Sequence, residues 1–329
     1  MGICRLNTAI CLLLSDAFPI LVDLVTDSEG LAAMHINVAC IQCTSGVSIS
    51  ENVTMLSNLV RGAQKDGAQF VHLPEACNLV QMDKAAALQE LCTEEKDPVL
   101  QAMRNLAKEL CIWILIGSLV LKKEEFVDIA APYLYNRSFL LDDSGSVTAS
   151  YDKMHMFDAT VGGGESYRES DSFIRGNAPV IADTPWGPVG MSICYDLRFP
   201  AMYQCYAKAG TMMLSIPSAF TVPTGQAHWH ILLRARAIET GCFVIAPAQV
   251  GHHPGGRITY GHSLIIDPWG VILAESMEDC AGWCLASCDL TAVAASQQKI
   301  PAILWNDTNH LVVERVRMKE KRTSDSESQ

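Results

Sequence analysis

The sequence predicts an α/β fold, a layered sandwich of mixed sheets, on three observations. Apolar, strand-like runs alternate with amphipathic helical segments through the first third of the chain. Hairpin signals then break that alternation, so antiparallel pairs join what begins as a parallel sheet. Several runs are apolar on nearly every residue, which requires cover on both faces, helices on one and a second sheet on the other.

The elements follow in order. "INVACIQC" reads as a buried strand, 51–66 as a helix, and "AQFVHLPE" as a second strand that runs into Glu75, together a βαβ unit. "DPVLQAMRNLAKELC" has the period of an amphipathic helix, with Pro98 in its first turn, and the strand "WILIGSLV" follows. "NRSFLLDDSGSVTASYDK" is two strands about a turn at Asp143-Ser144-Gly145, and "VIADTPWGPVGMSIC" two more about Pro185-Trp186-Gly187. A helix over 199–209, the strand "TMMLSIPS", a helix over 226–240, the strand "CFVIAPAQV" and a hairpin "HSLIIDPWGVILAE" complete the pattern. No short-period repeat and no interior linker divides the chain, so one domain is expected over 34–305.

Residues 1–33 are apolar but interrupted by Asp16, Pro19 and Asp23, which suits neither a membrane span nor a cleaved signal. They are expected to be a poorly ordered or loosely docked extension, with Met34 as an alternative start. The segment 306–329 is expected to be a charged C-terminal tail, disordered over "MKEKRTSDSESQ". Lys and Arg number 24 against 36 Asp and Glu, a formal charge of −12 that would repel phosphate backbones, so no nucleic-acid partner is expected. The thirteen cysteines are scattered through long apolar runs, which reads as reduced, packed thiols and a cytoplasmic protein rather than a disulfide scaffold.

Three residues stand where chemistry is possible. Cys194 ends "VGMSIC" at a strand-to-helix corner, where backbone N–H groups would lower a thiol's pKa. Glu75 ends its strand after Pro74, and Lys153 follows "SVTASY" in the same way. Singly, each has an ordinary explanation as a packed thiol, a solvated glutamate or a surface lysine. The Cys40/Cys43 pair lies within a strand and reads as packing. His252-His253 lacks partners at zinc spacing, and "VGGGES" is no phosphate loop. No metal and no organic cofactor is expected. In "QAHWHILLRARAIE", Ile231, Leu232 and Ile238 are expected to pack, and Arg234, Arg236 and Glu239 to form ion pairs, with His228 and Trp229 lining a pocket.

Taken together, "LPEA" around Glu75, "YDKMHMFD" around Lys153 and "ICYDLRFP" around Cys194 resemble, in order and separation, the signature segments of the nitrilase-like carbon-nitrogen hydrolases, over residues 35–305. The resemblance implies a four-layer αββα sandwich with a Glu-Lys-Cys triad, paired into a homodimer or higher homo-oligomer through a helical layer. Cys194 would be the nucleophile, Glu75 the general base and acid, its pKa lifted toward neutrality by burial, and Lys153 the stabiliser of the oxyanion. The backbone N–H of Tyr195 would be a second oxyanion donor. Glu169 matches the family's supporting carboxylate better than Glu165, because the downstream glycine then falls on Gly176.

Cys194-Tyr195-Asp196 followed by Arg198-Phe199-Pro200 resembles the Nit-type amidase branch, which includes ω-amidase and deaminated glutathione amidase. Its substrates are small carboxylated amides, so an arginine is expected to grip the carboxylate. Arg198, His228 and Trp229 are the expected substrate contacts. Ala201 stands where relatives commonly carry glutamate. Nitrile hydrolysis, or a catalytically silent dimeric scaffold, are the alternative readings.

Overall fold

Strand β1 (His35–Cys43) is buried from Val38 to Cys43. Its alternating side chains enter two different cores. Val38 and Cys40 pack between two sheets, while Ala39 and Ile41 pack beneath helices. The computed structural model describes residues 34–124, 133–161, 166–277 and 279–305. The extension 1–33, the tail 306–329 and Glu165 lie outside the described residues.

After β1 come α1 (Ile49–Lys65), β2 (Phe70–His72), α2 (Lys84–Glu90), α3 (Pro98–Leu110), β3 (Trp113–Lys122), β4 (Leu134–Leu141) and β5 (Val147–Asp152). Helix α3 begins as the sequence predicts, with Pro98 in its first turn and the buried Asp97 carboxylate capping the Leu100 N–H at 2.9 Å. A hairpin of β6 (Asp158–Thr160) and β7 (Ser166–Arg168) follows, then β8 (Val180–Ala182), β9 (Val189–Met191), α4 (Pro200–Lys208), β10 (Met213–Ser215) and α5 (Val222–Thr240). The chain continues through β11 (Phe243–Ala246), β12 (Ala248–His252), β13 (Ile258–Tyr260), β14 (Leu264–Ile266), β15 (Ile272–Glu275), β16 (Gly282–Asp289) and α6 (Thr291–Lys299).

The first sheet runs β13-β12-β1-β2-β3-β4-β5, with β16 antiparallel to β1 from His35 to Gln42. The second runs β15-β14-β11-β10-β9-β8. Each has a parallel centre and antiparallel margins. Helices α1 and α3 cover the first sheet through Leu56, Val60, Met103 and Leu106. Val38, Phe70 and Leu115 of the first sheet share a core with Met191, Leu214 and Val244 of the second, which α4 and α5 cover with Tyr206 and Leu233. The order is helices, sheet, sheet, helices, the expected four-layer sandwich.

Four departures have physical causes. "CFVIAPAQV" is two strands, β11 in the second sheet and β12 in the first. Pro247, which has no N–H to continue a ladder, separates them. Strand β16 escapes sequence reading because its buried positions are the small Cys284, Ala286 and Cys288. Helix α5 starts at Val222, and its buried stripe runs through Trp229, Leu233, Arg236 and Ala237. Ile231 and Ile238 therefore do not pack as expected but stand 70% and 54% exposed, while Leu232 does touch the core. Arg236 pairs with Glu239 at 2.8 Å, but Arg234 donates to the Gly270 carbonyl instead of a carboxylate. Among the described residues, no helix is long and apolar enough to cross a membrane.

Candidate active site

Three strand ends meet at one place. Beyond β2, the Pro74 carbonyl accepts from Ser118 N, and Ala76 N and Cys77 N return to Ser118 Oγ and O. That closure demands a glycine in β3, since a Cβ on Gly117 would lie 2.0 Å from the Leu73 oxygen and 2.7 Å from that of Pro74. Glu75, between them, is turned inward and 5% exposed. Beyond β5, Lys153 is held by its N–H to Asn136 O and by Gly176 N to its own carbonyl. A Cβ at Gly176 would lie 2.1 Å from Asp152 O. Beyond β9, Cys194 has φ +50°, a left-handed conformation that costs a non-glycine residue roughly 1–3 kcal/mol, and opens a 3₁₀ turn. Its N–H donates to Pro217 O at 2.8 Å.

Asp196 ties this elbow to the lysine's segment. Its buried carboxylate accepts from Ile193 N (2.9 Å), the Tyr151 hydroxyl (2.7 Å) and His155 N (3.0 Å), and lies 2.6 Å from His155 Nδ1.

Lys153 Nζ lies 2.9 Å from Glu75 Oε1 and 2.9 Å from Glu169 Oε2. Asn136 Nδ2 donates to both carboxylates, at 3.0 Å to Glu75 and 3.3 Å to Glu169. Phe157 N donates to Glu169 Oε2 at 2.7 Å. The 3₁₀ turn at Glu169–Asp171 thus delivers Glu169 to the lysine.

The electrostatics correct two expectations. Burial raises the Glu75 carboxyl, but Lys153, the Cys194 thiol that hydrogen-bonds to it and Arg257 together hold it below the ordinary carboxylate value, not near neutrality. Burial pushes the Cys194 thiol well up, and the Glu75 charge adds to this against the opposing pull of Lys153, so the corner does not create a resting thiolate. Burial would lower the Lys153 ammonium, yet Glu169 and Glu75 hold it well above its ordinary value. At rest the site holds a neutral thiol bonded to a carboxylate beside a fixed cation.

These groups form the floor of a cleft of about 300 Å³. Part of its lining is apolar, from Leu79, Leu88, Leu91, Val120 and Phe173; another part carries Tyr195, Arg198 and Arg257. Of the expected substrate contacts only Arg198 lines it. His228 is exposed, with Nδ1 3.3 Å from Arg198 Nη2. Trp229 is 1% exposed in the core, its ring 4.9 Å from that of Phe220 and its N–H on the His262 carbonyl, because the apolar stripe of α5 turns it inward. Ala201 sits exposed on the first turn of α4, away from the cleft lining.

Sequence reasoning missed Asn136, Asp196 and Arg257. Asp196 stood inside a quoted motif; Asn136 and Arg257 carried no local signal. Arg257 donates Nη2 to Ala219 O at 2.8 Å, and its buried Nε has no hydrogen-bond partner among the described residues.

A four-layer sandwich closed around a thiol, carboxylates and a buried ammonium defines a hydrolase of amide-like C–N bonds. The carbon-nitrogen hydrolase model matches residues 37–298, and the chain belongs to that family. It is 41% identical over 267 residues to a deaminated glutathione amidase of Rattus norvegicus, covering 80% of each chain. It is 36% identical over 272 residues to one of Yersinia enterocolitica, covering 82% of this chain and 92% of that one. The crystal structure of Saccharomyces cerevisiae Nit3, a member of branch 10 of the nitrilase superfamily, superposes with a TM-score of 0.72 at 25% identity, covering 84% of this chain and 97% of that one.

Proposed function

We propose that this protein cleaves a small carboxylated amide to carboxylate and ammonia through a thioester on Cys194. One observation carries the reading: Lys153 Nζ bonds Glu75 Oε1 at 2.9 Å in the cleft that Cys194 also lines, and the charges of both act on its thiol, so base, nucleophile and cation share one site. The thiol is protonated at rest, so Glu75 takes its proton as sulfur attacks the carbonyl. Lys153 and the N–H of Tyr195 stabilise the oxyanion. Glu75 then protonates the departing ammonia and later draws a proton from the water that opens the thioester. Glu169 and Asn136 keep the ammonium aimed and charged throughout.

Arg198 and Arg257 supply guanidinium groups that suit a substrate carboxylate, and the relatives named deaminated glutathione amidase favour an acid of that kind. The fold is expected to pair as a homodimer over the outer face of α5, a reading supported by Ile231, Ile238, Trp269, Val271 and Ile300, each more than half exposed. No described cysteine is in a disulfide, which favours the cytoplasm.

Purified protein should release ammonia from members of a panel of ω-amido acids, and mass spectrometry should trap the acyl group on Cys194. Acid from nitriles but from no amide would replace the reading with nitrile hydrolysis. Turnover surviving in Cys194→Ala would overturn the mechanism, and a Cys194 inert to substrate and to alkylating agents alike would make the chain a scaffold.

A further inference from the structure

We infer that His230, His262 and Glu275 form a zinc site remote from the catalytic cleft. The three come from separate elements: His230 from the middle of α5, His262 from the turn between β13 and β14, and Glu275 from the end of β15. His230 Nε2 lies 2.8 Å from Glu275 Oε1, and His262 Nδ1 lies 2.7 Å from the same oxygen. All three donor atoms fall within 4.8 Å of one another. None of the three lines the cleft.

The imidazoles are held in place from outside the cluster. His262 has φ +59°, and its carbonyl accepts the indole N–H of Trp229 at 2.8 Å. The Tyr260 ring stacks on its imidazole, with centroids 4.3 Å apart and planes inclined by 25°, and stands edge-on to that of His230. Each side chain is partly open, at 30%, 23% and 17% exposure for His230, His262 and Glu275, so water can reach the cluster.

Two nitrogens and one carboxylate oxygen, with water in the fourth position, are a donor set that Zn²⁺ takes in tetrahedral geometry. Mg²⁺ and Ca²⁺ call for oxygen instead. With zinc bound, each neutral imidazole carries its proton on the nitrogen facing away, and its lone pair replaces the hydrogen bond to Glu275. The ion would clamp α5 to the edge of the second sheet. Sequence spacing could not reveal it, because the two histidines stand 32 positions apart, and the adjacent His252-His253 pair takes no part.

The test uses the full chain carrying Cys194→Ala, which removes the active site's own thiol, stripped with chelator and titrated with Zn²⁺ and Co²⁺. One equivalent should bind. The cobalt form should show visible d–d bands without a thiolate charge-transfer band. His230→Gln and Glu275→Gln should each weaken binding by about 100-fold or more. His262→Asn, which tolerates the left-handed backbone, should do the same. Zinc at 100 times its Kd should raise the unfolding midpoint by about 5 °C in the parent and not in these variants. A parent that binds no zinc, a thiolate band on cobalt, or binding undiminished in the folded variants would overturn the site. Loss of amidase chemistry at Cys194 would bear on the proposed function alone.

Discussion

The floor of the cleft and its apolar wall are built differently. On the floor, Glu75, Lys153 and Asn136 are each at most 5% exposed and joined by hydrogen bonds to Glu75, with Glu75 and Lys153 anchored beyond strand ends and Asn136 within β4. The wall includes α2, a helix of seven residues with no buried position, capped by the exposed Asp83. Floor residues are over-determined by backbone closures, so changing one disturbs a network. The α2 part of the wall has few neighbours to disturb, whereas Leu79, Leu91 and Val120 behind it belong to the core. Chemistry is therefore fixed where the fold is rigid, and substrate fit is set where substitution costs little. The floor should govern kcat and the wall KM.

The sharpest test of that division is Cys194→Ala. It should lower amide turnover by at least roughly 10⁴-fold. Binding of the intact amide, measured by calorimetry, should persist within a few-fold, because the wall remains. Loss of binding in parallel with turnover would show that floor and wall are not separable.

Lys153→Met strikes the floor's charge balance. Loss of the oxyanion's cation should reduce kcat by roughly 10²–10³-fold. The pH dependence should also reverse. In the native protein, Glu75 is held below its ordinary value, so its contribution to stability is present above about pH 4.3 and fades as pH falls through the lower folded pKa. Lys153 is held above its ordinary value, so its contribution is present below about pH 10.4 and fades as pH rises through the higher folded pKa. Between these limits this pair leaves native stability flat. Without the cation, the strongest opposition to burial is gone and only the Cys194 thiol and Arg257 still act against it, so the Glu75 pKa should rise and the variant should lose stability on going from pH 5 to pH 8. Denaturant midpoints across that range check the sign, and a flat profile in the variant would refute the coupling.

Arg257→Met touches the rim, where charge and fit meet. If its guanidinium receives the substrate carboxylate, KM for a carboxylated amide should rise by roughly 10- to 100-fold, while KM for an uncharged amide of equal length should hold. A kcat loss shared by both substrates would instead assign Arg257 to the floor, through its field at Glu75.

What the sequence made legible follows the same division. Glu75, Lys153 and Cys194 sit at ends of strands within extended motifs, and the choice of Glu169 was reachable because it sets Gly176 on the glycine of the resembled family, a position that passes close to Asp152. The parallel centre of the first sheet was visible in its alternation of apolar runs and helices, and the cover on both faces of the central strands in their continuous apolar runs. Asn136 was hidden because it lies inside a strand and meets Glu75 from 61 residues away. Trp229 was misplaced because local spacing does not say which stripe of α5 is buried when apolar residues lie all round it. The short α2 and the β6–β7 hairpin have too few residues for a period to show, and these pieces belong to the cleft's periphery.

Leu88→Ala is the smallest effect and the most direct probe of the wall. Leu88 is half-buried on α2 and faces the cleft, so truncation removes contact area without opening a sealed cavity. Stability should fall by less than about 1 kcal/mol, against roughly 2–5 kcal/mol for a leucine in a closed core. An amide whose acyl chain reaches the apolar wall should lose a few-fold to about tenfold in kcat/KM, the worth of one or two buried methylenes, with kcat unchanged. A short amide that stops at the floor should be indifferent. Equal losses for both substrates would mean that α2 holds the triad in place, and the contrast between a rigid chemical floor and a permissive wall would fail.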